Sequence, residues 1–159
     1  MTKTCSELFQ GMDCAIIGNG NEEVAGLAFR SDEVAPGDMF FCIVGTVVDG
    51  HSFAQDAIDR GATSLVAERK VYLADATDVT EVVVSDSRKA MAYASANYYD
   101  NPSRAFSLVG ITGTNGKTTT TYLVEHIASV AGNRCGVIGT VGNKIAGVME
   151  LSLIHISEP

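Results

Sequence analysis

Residues Gly110-Ile111-Thr112-Gly113-Thr114-Asn115-Gly116-Lys117-Thr118-Thr119 place two loop glycines and a Lys-Thr-Thr run between an apolar stretch and an amphipathic one. That order constrains the chain to a strand, a tight loop and a helix. Phe106 to Thr112 reads as a short buried strand, and Lys117 to about Ala131 as a helix with Leu123, Ile127 and Val130 on one side. Gly113 and Gly116 reach backbone conformations closed to residues with a β-carbon, so successive N–H groups converge on a phosphate at the helix N-terminus. The expected ATP-binding residues are Gly113, Thr114, Asn115, Gly116, Lys117, Thr118 and Thr119. Within them Lys117 meets the terminal phosphates and the Thr118 hydroxyl ligates Mg²⁺. The generic pattern wants a glycine where Ile111 stands; Gly113, inside the loop, marks a narrower variant.

At 159 residues the chain is long enough to bury a sizeable core. A formal net charge of −8 argues against a nucleic-acid surface, which needs clustered Lys and Arg. Cys5, Cys14, Cys42 and Cys135 show no C-x-x-C pair and no metal-ligand spacing, and read as reduced, mostly buried thiols of a cytoplasmic protein. Met1 to Gln10 is polar and the longest apolar runs are strand-sized, so neither a signal peptide nor a membrane span is expected.

The first hundred residues read as a small α/β unit. Strands are expected at Val24 to Phe29 and Met39 to Val44, separated by the turn Pro36-Gly37-Asp38. Ser52 to Arg60 reads as a helix with Phe53, Ala57 and Ile58 inward, stopped by Gly61. Strands at Thr63 to Ala67 and Glu81 to Val84 follow, then a helix from Ser87 to Tyr99, capped by Asp86, with Met91, Ala94 and Tyr98 on one face. Asn101-Pro102-Ser103 ends that helix and marks a domain boundary. Beyond the phosphate-loop helix come a Gly132-Asn133 cap and a strand at Gly136 to Thr140. Two strands and one helix do not close a doubly wound sheet, so this second unit reads as truncated, with Leu123, Ile127 and Val137 exposed. Residues 151–159 look foreign to what precedes them and resemble a translated sequencing adapter.

The variant Thr112-Gly113-Thr114-Asn115-Gly116-Lys117-Thr118-Thr119 is the form found in Mur ligases, the ATP-dependent amide-forming enzymes of peptidoglycan precursor synthesis. Two further stretches, Pro36 to Cys42 and Val44 to Phe53, resemble that family's uridine-nucleotide-binding N-terminal domain. Ile138-Gly139-Thr140-Val141-Gly142-Asn143 is similar to the strand and turn after the phosphate loop in the branch that adds the third residue of the stem peptide. The resemblance covers Val24 to Glu150 and implies an α/β fold. Residues 1–103 form a small UDP-binding domain, 104–150 the first strand-loop-helix-strand of a P-loop central ligase domain, and 151–159 the non-native tail.

The resemblance places uridine contacts on Phe29, Ser31, Thr46, Val47 and Val48, with ATP and Mg²⁺ as cofactors. The family's usual Asp-Ser-Arg stands here as Arg30-Ser31-Asp32, exchanging the charges around the same serine. Its implied substrates are a UDP-N-acetylmuramoyl dipeptide and a diamino acid, diaminopimelate or lysine, handled by a monomer with no nucleic-acid or membrane partner. The implied reaction transfers the ATP γ-phosphoryl group to a carboxylate, and the resulting acyl phosphate is attacked by the amine. The family's remaining machinery lies downstream of Glu150, so no catalytic residue is assigned and the 159-residue chain alone is expected to be inactive. Two alternatives stand beside this reading: another carboxylate-amine ligase of the superfamily, and a non-catalytic nucleotide-binding module. His51 reads as a structural or ligand-edge residue, and His126 as solvent-facing.

Overall fold

The computed structural model describes residues 2–73, 78–145 and 147–150. The 151–159 tail lies outside the described residues. The chain divides into two compact units, Met1–Phe106 and Ser107–Pro159.

The first unit opens with β1 (Lys3–Thr4) and α1 (Cys5–Leu8). Thr4 and Glu7 form a reciprocal cap: the Thr4 N–H donates to Glu7 Oε2 at 2.8 Å and the Glu7 N–H donates to Thr4 Oγ1 at 3.3 Å. Next come β2 (Ala15–Ile17), β3 (Glu23–Val24) and β4 (Leu27–Ala28). They are followed by β5 (Met39–Phe41), α2 (Ala54–Asp59), β6 (Ser64–Ala67), β7 (Thr80–Val83) and α3 (Ser87–Tyr98). Strands β4, β5, β6 and β7 are parallel neighbours in a five-stranded sheet of order β2-β7-β6-β5-β4, with β2 antiparallel on one edge.

Burial follows the period of two along the strands. Met39 and Phe41 of β5 join Val66 and Val82 in a core closed by Leu8, Ala90 and Ala94 of α1 and α3. Phe40, between them, faces the other way with Leu65 and Ala67, against Ala54 and Ala57 of α2. A parallel sheet covered on both faces shows nearly continuous apolar strands, which is how Met39-Phe40-Phe41 and Ser64-Leu65-Val66-Ala67 read. Tyr93 and Asn97 of α3 tie down the first helix region by donating to the Gln10 and Leu8 carbonyls at 2.7 and 2.9 Å.

Several expected elements are corrected. The strand expected from Val24 to Phe29 is broken at Ala25-Gly26: β3 pairs with β1, while β4 pairs with β5. The strand from Met39 ends at Phe41, because Val44 turns back to bridge Asp49. Phe53 does not point inward; residues Gly50–Phe53 form a 3₁₀ turn, whose three-residue period rotates Phe53 off the buried stripe of α2. The first twenty-two residues carry β1, α1 and β2, which are not among the expected elements although Thr4-x-x-Glu7 ahead of Leu8-Phe9 is a capping-box signal.

In the second unit, α4 (Lys117–Val130) is followed by β8 (Gly136–Gly139), β9 (Gly142–Ile145) and β10 (Val148–Glu150). These strands form an antiparallel meander in order β10-β9-β8, of which only β8 was expected. Local hairpins close at little entropic cost, and β8 and β9 need only Thr140 and Val141 between the paired Gly139 and Gly142. The expected buried strand at Phe106 to Thr112 is not formed: these residues pair with no strand among the described residues, and Leu108 and Val109 are exposed. Of the three residues expected to be uncovered, Leu123 and Ile127 are exposed, but Val137 is buried at 5 % exposure while its neighbour Ile138 is 84 % exposed. The alternation of β8 decides this, since one face packs on α4 and the other stays open.

Leu65 is fully buried between β5, β7 and α2. Leu65→Ala should destabilise the first unit by about 2–4 kcal/mol, whereas Tyr72→Ala, at an exposed position, should leave it nearly unchanged. Urea unfolding of both variants checks this, and equal midpoints would contradict the assigned core.

Candidate functional site

The phosphate loop keeps its expected local geometry. Gly113 has φ +148° and Gly116 φ +75°, both in the region that disfavours residues with a β-carbon. Gly116 is the N-cap of α4 and offers no side chain to the helix, so no side-chain cap covers the N-terminal N–H groups. The Lys117 ammonium curls back over the loop and donates to the Gly113 and Thr114 carbonyls at 2.6 and 3.5 Å. An uncapped helix N-terminus, two glycines at positive φ and a nearby ammonium together have the geometry of an anion cradle.

Beside the cradle lies a cleft of about 140 Å³, lined by Lys117, Thr118, Thr121, Tyr122, Gly139 and Thr140. Its far wall is the β8–β9 turn, tied to α4 by Lys144 Nζ, which donates to Glu125 Oε1 and Oε2 at 3.0 and 3.2 Å. Thr121 Oγ1 donates back to the Lys117 carbonyl one turn earlier at 2.9 Å, and His126 is exposed as expected. No group of three or more His, Cys, Asp or Glu side chains among the described residues could hold a metal by itself.

The expected uridine residues lie at the carboxyl ends of the parallel strands, the end where open α/β sheets bind ligands. Phe29 directly follows β4 and is half exposed. Thr46, Val47 and Val48 form the tip of a small hairpin after β5, closed by the Gly45 N–H donating to the Val48 carbonyl at 3.0 Å, and Val47 is 89 % exposed. Ser31 begins a short 3₁₀ turn, and its hydroxyl, with Arg60, holds the Asp56 carboxyl below the usual carboxylate range. The exchanged charges beside it pair with each other: Arg30 Nη2 reaches Asp32 Oδ2 at 2.8 Å, and its Nε reaches Glu33 at 3.3 Å.

Beneath the hairpin runs a polar network that sequence reasoning missed. The His51 ring, 5 % exposed, places Nδ1 at 2.6 Å from Asp49 Oδ1, while Nε2 accepts the Glu68 N–H at 3.1 Å. Since Nε2 accepts, Nδ1 carries the proton, and the ring is neutral. Asp49 Oδ2 also takes Arg69 Nη2 at 2.7 Å; that guanidinium first, then the His51 N–H groups, holds the Asp49 carboxyl far below its ordinary value. Glu68 Oε1 accepts the Ser87 N–H and hydroxyl at 2.9 and 2.8 Å, which lowers its pKa too. Asp86 caps α3 through the Lys89 N–H at 3.0 Å, and Arg88 donates to the Val44 carbonyl at 3.2 Å. Gly50 is required here, because a β-carbon would stand 2.6 Å from the Ile43 backbone. Asp49-x-His51 was the available signal, an Asx turn whose side chain caps its own loop.

All four cysteines are free thiols; burial pushes those of Cys5 and Cys42 up to about 12. Cys14 and Cys135 are only partly buried. Among the described residues no helix is long and apolar enough to cross a membrane.

Asp49, Glu68 and Asp86 all have depressed folded-state pKa values. Each therefore contributes stability in full above the unfolded carboxylate range, about pH 4, and loses it as pH falls through the folded value. The urea midpoint of the chain should fall between about pH 5 and 3, and Asp49→Asn should fall less steeply over that window. Equal slopes would remove Asp49 from the account.

Comparison with known proteins places this geometry. Residues 23–112 match the Mur ligase family, catalytic domain, and residues 111–157 the Mur ligase middle domain. The chain is 48 % identical over 126 residues to UDP-N-acetylmuramoyl-L-alanyl-D-glutamate–2,6-diaminopimelate ligase of Geobacillus thermodenitrificans, a match covering 79 % of this chain and 25 % of that protein. A solved structure of a UDP-N-acetylmuramoyl-L-alanyl-D-glutamate–2,6-diaminopimelate ligase superposes with TM-score 0.67 at 24 % identity, over 94 % of this chain and 30 % of the other. The MurF ligase of Thermotoga maritima, solved in complex with ADP, superposes with TM-score 0.53 at 27 % identity, over 76 % of this chain and 27 % of that one. The chain thus spans about a quarter of the length of the curated relatives it matches. With sequence matches running through both units, this chain belongs to the Mur ligase family.

Proposed function

We propose that this chain carries the uridine-nucleotide-binding part and the phosphate loop of an ATP-dependent ligase that joins diaminopimelate to UDP-N-acetylmuramoyl-L-alanyl-D-glutamate. The observation that carries the reading is the 48 % identity over 126 residues. The first unit, Met1–Phe106, is shorter than that match, so the likeness enters the phosphate-loop unit as well. Residues 1–103 are the substrate-nucleotide domain and 104–150 the start of the ATP-binding domain. The protein acts as a cytoplasmic monomer.

In this reading Phe29, Thr46, Val47 and Val48 present an apolar, backbone-rich surface to the uridine, with the Ser31 hydroxyl at its edge. Gly113, Thr114, Asn115, Gly116, Lys117, Thr118 and Thr119 hold the ATP phosphates. Their N–H groups and the Lys117 ammonium neutralise the charge of the bound triphosphate, and positioning plus neutralisation supply most of the catalysis in phosphoryl transfer. Lys117 then exchanges the Gly113 and Thr114 carbonyls for phosphate oxygens, a small movement of an exposed side chain. The Thr118 hydroxyl would help to hold Mg²⁺, which would supply further charge neutralisation.

Titration calorimetry tests the two sites separately. Lys117→Ala should weaken ATP binding by roughly tenfold or more and leave the affinity for UDP-N-acetylmuramoyl-L-alanyl-D-glutamate unchanged. Val47→Asp should do the reverse. Loss of both ligands in either variant, or of neither in both, would defeat the assignment of two separate sites.

A further inference from the structure

We propose that His51 is the positioning residue of the uridine-nucleotide hairpin, acting as a neutral two-armed clamp that fixes Thr46, Val47 and Val48 over the end of the sheet. The inference rests on the proposed reading of that hairpin as the nucleotide site. The hairpin's own closure is slight: the Gly45 N–H to Val48 carbonyl bond and the Val44–Asp49 bridge hold its base, and its tip stands in solvent. A loop so exposed loses conformational entropy on binding unless something orders it beforehand.

His51 provides that order from below. Its Nδ1–H grips Asp49, the last residue of the hairpin, at 2.6 Å, and its Nε2 takes the Glu68 N–H just past β6 at 3.1 Å. Glu68 passes the connection on to the N-terminus of α3 through Ser87, and Arg88 on the same helix returns to the Val44 carbonyl at the hairpin's other foot. Both feet of the hairpin are thereby fastened to the rigid sheet and α3. The ring itself is buried and its two nitrogens are taken, so it acts on the nucleotide only through the hairpin.

The test measures binding of UDP-N-acetylmuramoyl-L-alanyl-D-glutamate to the 159-residue chain and to His51→Gln and His51→Asn. Gln reproduces the acceptor near Nε2 and Asn the donor near Nδ1, so each keeps one arm. Both variants should bind about tenfold more weakly, the effect of losing one well-placed hydrogen bond, with ATP affinity unchanged. On the unaltered chain, proton–nitrogen correlation spectra of the ring should show the Nδ1–H tautomer near neutral pH. Wild-type binding with equally tight variants, or an Nε2–H tautomer, overturns the clamp while leaving the nucleotide site standing. Failure of the wild-type chain to bind the uridine compound overturns the site and the clamp together.

Discussion

Burial of β5 and β6 on both faces is the constraint from which the first unit's organisation follows. Phe40 and Phe41 are neighbours in sequence, yet each belongs to a different core, one under α2 and one under α1 and α3. A strand covered on both sides has nowhere to carry polar chemistry except its ends. The chain's chemistry accordingly gathers where the strands stop, in the segments after Ala28, Phe41, Ala67 and Val83. Asp49, His51, Glu68, Arg69 and Ser87 come from three of those four segments and meet in one hydrogen-bonded network.

The second unit is organised differently. Its local elements are sound: α4 runs fourteen residues and ends at a Gly132 in the left-handed region, and β8 to β10 form a meander. Its apolar residues are less fully enclosed, with Leu123, Ile127, Val130 and Ile138 exposed. The loop geometry at Gly113 and Gly116 survives this because it depends on backbone dihedrals and a helix terminus, which are local, and not on a packed core. The Lys144–Glu125 pair, partly buried, adds a charged tie between α4 and the β8–β9 hairpin that defines the cleft.

Legibility in the sequence tracked the range of the interaction involved. Ser87 to Tyr98, with Asp86 as its cap, and Lys117 to Val130 were readable because capping and a 3.6-residue period are local signals. The break at Ala25-Gly26 was not, because Glu23-Val24 and Leu27-Ala28 pair with different partners, a choice made by distant residues. Phe53 was misplaced for a related reason: a 3₁₀ turn and the first turn of an α-helix share composition and differ in phase. The strand expected before the phosphate loop has the right residues, but a strand exists only with a neighbour to receive its N–H and C=O groups.

What the sequence by itself determined is the geometry of the loop before α4 and the family. Gly113, Gly116 and Lys117 specify backbone conformation and charge at fixed spacing, and no remote contact is needed to realise them. The tertiary structure alone decided the role of His51. In sequence it is a histidine beside an aspartate; its function as a clamp depends on the Glu68 N–H, seventeen residues away, arriving at its second nitrogen. That meeting is set by the parallel register of β5 and β6, which long-range burial fixes and no local pattern encodes.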